Sequence, residues 1–140
     1  MIDIDNQTDK NIDTALLEKI AKSMSSQDVE LILTNTKTMQ AINLQTRNID
    51  KPTDVLSFPY EKMPMTPLGS IVICEELAAS VASKLGHTQE EERALLFIHG
   101  MLHIMGYDHE LDSGEMRERE TEIIKQFNLP ESLIVRTEGE

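Results

Sequence analysis

Apolar and polar positions recur along this chain with two periods, and the switches between them lay out its elements. The opening MIDID, Met1–Asp5, alternates apolar and acidic side chains, the period of a short strand. Leu16, Leu17, Ile20, Ala21 and Met24 then follow helical spacing, with Asp13 placed to cap the helix and Ile12 placed to pack on Leu17. Val29–Leu33 reads as a second strand. Thr36 can cap a second helix with Met39 and Ile42 facing inward, running to about Arg47. Thr53–Pro59 is a β-type run stopped by its proline, and Glu61–Leu68, with Pro64 and Pro67, is a loop. Gly69 opens a fourth strand, SIVIC.

The later chain is helical. Glu75–Leu85 places Leu77, Ala78, Val81, Ala82 and Leu85 on one face, and Gly86 stops it. Thr88 with Glu91 forms a capping-box signal for a helix to about Met105. From Ser113 to Phe127 a charged amphipathic helix closes the pattern near Pro130, and the tail RTEGE reads as frayed. The order β-α-β-α-β-β-α-α-α predicts one α+β domain over residues 1–140, a small sheet packed against about five helices.

Composition narrows the setting. One cysteine, Cys74, excludes an internal disulfide and suits packing in a reducing compartment. No run approaches the ~20 apolar residues that span a bilayer, and no signal pattern opens the chain, so a soluble cytoplasmic protein is expected. A net charge of −12 argues against non-specific nucleic-acid binding. The segment Thr34–Lys62 differs: Lys37, Arg47, Lys51 and Lys62 outnumber Asp50, Asp54 and Glu61, which leaves it at +1.

The candidate chemistry lies in HGMLHIMGYDH, His99–His109. Four residues bring a helix back to nearly the same face, so His99 and His103 stand one turn apart. Gly106 can end the helix and turn the chain so that His109 reaches the same point. Three neutral imidazoles around one open position describe a catalytic zinc-type site. The surrounding ALLFIHGMLHIMG is apolar nearly all round, and buried imidazoles need partners. His87, after Gly86, reads as a surface residue. The spacing matches the long zinc motif of metzincin proteases except at Gly100, where the proteases carry the glutamate that deprotonates the metal-bound water. The metal site is kept and the peptide-cleaving base is not.

HGMLHIMGYDH, with NLQTRNIDKPTDVLSFP and LGSIVI, resembles the YbeY family of bacterial metal-dependent endoribonucleases of ribosomal RNA maturation. The resemblance runs from about Val29 to the last helix. It implies a zincin-like α+β fold with a mixed four-stranded sheet, and His99, His103 and His109 as ligands of one metal ion, zinc first. It implies that Arg47 is essential for activity, with Asn43 one turn before it. Arg47 and His99 are therefore the expected catalytic residues, and Arg47 with Lys51 the expected substrate-binding cations. Asp54 and Ser57 suit turn capping and strand-end packing; Tyr107 and Asp108 shape the turn between ligands, with Asp108 able to orient an imidazole. The family commonly has Asp where this chain has Ser70.

The implied activity is maturation of the 16S 3′ end and ribosome quality control. If the TDVLSF strand lies beside the metal helix, a narrow cleft forms with imidazoles on one wall and cations on the other. It cannot admit a duplex, so single-stranded RNA is expected to be preferred. The implied partners are the small ribosomal subunit, its proteins and the GTPase Era. The rivals are a metallopeptidase, opposed by Gly100, and a non-catalytic assembly factor whose metal holds the fold. The general base stays open among a metal hydroxide, Asp108 and the 2′-hydroxyl of the RNA. So short a basic segment neutralises few phosphates. RNA binding is therefore expected to show a log–log salt slope of roughly −1 to −3, checked by titration across ionic strengths.

Overall fold

The computed structural model describes residues 2–61, 63, 65–108 and 110–130. The elements follow the expected order: β1 (Ile2–Asn6), α1 (Ala15–Met24), β2 (Val29–Thr34), α2 (Thr36–Arg47), β3 (Val55–Pro59), β4 (Gly69–Cys74), α3 (Glu75–Leu85), α4 (Gln89–Ile104) and α5 (Glu115–Gln126). The strands form one sheet in the order β1-β2-β4-β3. β1, β2 and β4 are parallel, and β3 runs antiparallel to β4 as the outer strand. This is an α+β fold of five helices on a mixed four-stranded sheet, as the pattern predicts. No helix among the described residues is long and apolar enough to cross a membrane.

Both faces of the sheet are covered. Leu31, Leu33, Ile71 and Ile73 join α1, α4 and α5 in the larger core, around Ile20, Leu96, Phe97 and Ile123. A smaller cluster on the other face joins Val72, Leu56 and Ile32 to Met39 of α2 and Leu77 of α3. β4 is buried at every position, which accounts for its unbroken apolar run SIVIC.

Local caps differ from expectation in two places. The α2 cap is Asn35, whose side chain accepts the Thr38 N–H at 2.9 Å. Thr36 is engaged elsewhere: its N–H and hydroxyl both donate to Glu76 Oε1, 40 residues away. At α1 the cap position is Thr14, although the Asp13 carboxylate still accepts the Ala15 N–H at 3.0 Å. The capping box of Thr88 and Glu91 forms as expected.

α3 and α4 are clamped by a buried ion pair. Arg93 Nε donates to Glu75 Oε1 and Oε2 at 2.9 and 3.0 Å, and Nη2 reaches Oε1 at 2.5 Å. Removing one member strands the other charge in a dry setting. Arg93→Ala is thus expected to cost about 3–5 kcal/mol, read as a lower urea midpoint at unchanged slope.

Candidate metal centre

α4 carries the paired imidazoles into the side of the core. His99 Nε2 and His103 Nε2 lie 3.1 Å apart, with ring centroids at 4.7 Å and planes at 78°. His99 Nδ1 stands 3.0 Å from Glu120 Oε2. A carboxylate only accepts, so the ring proton sits on Nδ1 and the Nε2 lone pair faces His103. Two Nε2 atoms this close share either one proton or one cation. Their separation spans the gap that two imidazoles leave around an ion bound at about 2.0–2.1 Å from each. A histidine whose outer nitrogen is held by a buried carboxylate is the arrangement that orients zinc ligands. The donor set therefore fits a divalent transition ion.

Glu120 is the functional residue that sequence reasoning missed. It is 1 % exposed, on the buried stripe of α5 with Met116, Ile123 and Ile124. That spacing was the available signal: a glutamate one turn from Met116 and one turn before Ile124. Asp108, considered for the same task, instead accepts the Glu110 N–H. Gly106 has φ +103°, as the turn requires. His109 lies outside the described residues, and among those described no group of three metal-binding side chains forms.

Facing the imidazoles is a cavity of about 440 Å³ lined by Arg47, Val55–Pro59, His99, Gly100 and His103. Arg47 makes no ion pair among the described residues, so its charge is available to an anion. The turn beyond it is built by Asn48 in the left-handed region at φ 57° and by Asn43, whose Nδ2 donates to the Lys51 carbonyl at 2.8 Å. Asn43 is buried, and its Oδ1 has no hydrogen-bond partner among the described residues. Lys51 is exposed and does not line the cavity. A Cβ built on Gly100 meets Ile71 Cγ2 at 3.0 Å, so a side chain there would be tight against Ile71 of β4.

Other polar groups gather nearby. Burial pushes the Asp54 carboxyl above the usual carboxylate range. The Val55 N–H opposes that shift, the charge of Glu92 adds to it, and the Asp54 N–H and His99 oppose it more weakly. His87, expected at the surface, has its ring packed inward with Nε2 2.8 Å from Glu92 Oε1. Burying the Glu92 carboxylate requires that partner. Ser70 lies beside the Tyr60 hydroxyl, which donates to Glu30 Oε2 at 2.8 Å, rather than at the cavity. A larger hollow of about 1130 Å³ lies around the first turns of α2, α3 and α4, but its deep charges, Glu75 and Arg93, satisfy each other.

An α+β fold with two imidazoles on its central helix and a buried carboxylate on the next helix defines a class of fold with a candidate metal site. Known proteins resemble the chain over nearly its whole length. The model of the endoribonuclease YbeY family matches residues 2–128. The endoribonuclease YbeY of Sulfurimonas denitrificans is 58 % identical over 99 % of this chain and 100 % of its own. That of Helicobacter pylori strain G27 is 58 % identical over 99 % and 98 %. The solution structure of TM1509 from Thermotoga maritima superposes with a TM-score of 0.61 at 28 % identity, covering 91 % of this chain and 89 % of that one. The chain belongs to the endoribonuclease YbeY family.

The Glu120 contact has a measurable consequence. Glu120→Gln is expected to weaken metal affinity about 10–100-fold, and His103→Ala to abolish stoichiometric loading, both read by elemental analysis of untagged protein.

Proposed function

We propose that this chain is a metal-dependent endoribonuclease that cuts single-stranded segments of ribosomal RNA precursors, at the 16S 3′ end, within one zincin-like domain over residues 1–140. The observation that carries the reading is the cavity shared by the His99–His103 pair and by Arg47, which has no carboxylate partner among the described residues. Phosphodiester cleavage needs charge neutralisation at phosphorus and a fixed reacting group. Arg47 supplies the first by gripping phosphate oxygens through two N–H donors and stabilising the charge that develops there. Glu120 and the rigid α4 supply the second by holding His99. Zinc, the ion that His99, His103 and His109 suit best, would supply Lewis acidity and a water of lowered pKa when bound.

Lys51, on the exposed turn after Arg47, would meet a neighbouring phosphate outside the cavity. An acidic chain with so few free cations gains its RNA by docking, and proteins of the small ribosomal subunit or the GTPase Era are the partners proposed. Such a substrate places its work in the cytoplasm.

Gly100 weighs against a peptidase, because the position that would carry the base has no carboxylate and a side chain there would press on Ile71. Zinc-loaded protein is expected to cut structured RNA and leave casein intact, and a chelator should abolish the cleavage. Arg47→Ala should lower kcat about 10²–10³-fold with metal content unchanged. Casein cleavage without RNA cleavage would establish the peptidase. Undiminished ribosomal RNA processing in a deletion strain restored with Arg47→Ala would establish a scaffold.

A further inference from the structure

β3 has one paired edge and one open edge, and the open edge borders the cavity. Cys74 N–H donates to the Asp54 carbonyl at 2.9 Å, and Tyr60 N–H donates to the Leu68 carbonyl at 3.2 Å. Leu56 stands opposite Val72 and Phe58 opposite Ser70 in the same register. Residues 54, 56, 58 and 60 thus turn their main-chain groups toward β4. Successive residues of an antiparallel strand turn theirs to opposite sides, so Val55, Ser57 and Pro59 face outward. Among the described residues no strand pairs with β3 on that side. The Val55 N–H is met by the Asp54 carboxyl, and Pro59 has no N–H. Ser57 alone presents an N–H and a C=O side by side on this edge, in the cavity that Arg47, His99 and His103 also line.

We propose that the Ser57 main chain binds the Watson–Crick edge of an unpaired RNA base next to the phosphate held by Arg47. This rests on the endoribonuclease reading and adds to it the feature of the substrate that is selected. Every base carries a donor beside an acceptor on that edge, and in a duplex both are occupied by the opposite strand. Only an unpaired base has them free. The strand edge therefore discriminates single strands from duplex without any cation, which an acidic protein with one free arginine in its cleft requires. An extended peptide would also pair with such an edge. It offers no anion to Arg47, and so RNA is the occupant the cleft favours.

Proline tests the contact directly. On an outward-facing position it removes the N–H and costs no bond to β4, as Pro59 already shows in the same strand. Ser57→Pro is compared with Ser57→Ala, which keeps the N–H and reports the share of the hydroxyl. The readouts are affinity for a short single-stranded oligoribonucleotide, kcat/KM of the zinc-loaded protein, and the thermal melt. The expected result is a folded Ser57→Pro protein that falls about tenfold or more below Ser57→Ala in both, the order of one lost hydrogen bond. A folded variant that matches Ser57→Ala overturns the proposal.

Should Ser57→Pro fail to fold, the amide spectrum of the unaltered protein decides. Titration with a non-cleavable 2′-O-methyl oligonucleotide should move the Ser57 N–H. No movement while the Arg47 Nε–H shifts overturns the proposal, as does a shift produced only by a neutral extended peptide. The amide readout needs no turnover. An unaltered protein that cuts no RNA therefore defeats the endoribonuclease reading by itself, and is distinguishable from failure at Ser57.

Discussion

Helix α4 is buried on nearly every side, and the rest of the molecule is arranged around that constraint. Ala94–Ile98, Met101 and Leu102 are all inside, so a polar side chain on this helix must find its partner within the protein. It does so at three points. Arg93 pairs with Glu75 at the start of α3, Glu92 with His87 on the α3–α4 connection, and His99 with Glu120 of α5. Each partner belongs to a different neighbour. Satisfying the polar groups of α4 therefore docks the surrounding elements onto it, and apolar packing then seals the joints. The paired imidazoles inherit this rigidity, since a metal-type site on a helix fixed from several directions is held without relying on a loop.

What was legible in the sequence follows the range of the interaction involved. Contacts within one turn could be read: the Thr88–Glu91 box, Gly86 as the stop of α3, the one-turn pairing of His99 and His103, and the unbroken apolar run of β4. Contacts across the chain could not. Asn35 rather than Thr36 caps α2 because Glu76 claims Thr36 from the head of α3. His87 reads as a surface residue in the sequence because nothing in its neighbourhood shows that Glu92 is buried. Glu120 was hidden in EMRERETEIIKQ, where charge on most positions masks one inward-facing carboxylate. Secondary structure was thus recovered nearly in full, with the helix that carries His99 and His103, while Glu120 beside His99 was not. The cleft between β3 and α4 was expected only conditionally, because strand order cannot be read from periodicity. The expected ligand His109 lies outside the described residues.

Strand order also decides which groups reach the site. Had β3 paired on both sides, its main chain would be satisfied and only side chains would line the cavity. Its place as the antiparallel outer strand leaves backbone donors and acceptors facing the imidazoles. Exposed edges invite pairing with other chains, and β3 carries a usual protection in Pro59 together with the loop that follows it. The edge stays open only along the few residues that face the cleft. Specific recognition and protection from aggregation are thereby met by the same short strand.

Close packing ties the fold to the choice of chemistry. Gly100 lets α4 lie against β4 so closely that the first carbon of any side chain would meet Ile71. A side chain at this position would press on Ile71, which would have to give by a few tenths of an ångström in the core beside His99 and His103. The zinc motif without its glutamate is therefore compatible with this close packing. In the proposed reaction the charge stabilisation then comes from a group outside α4. Arg47 suits that proposed role, because it lines the same cavity from the end of α2 and does not compete with the core for space.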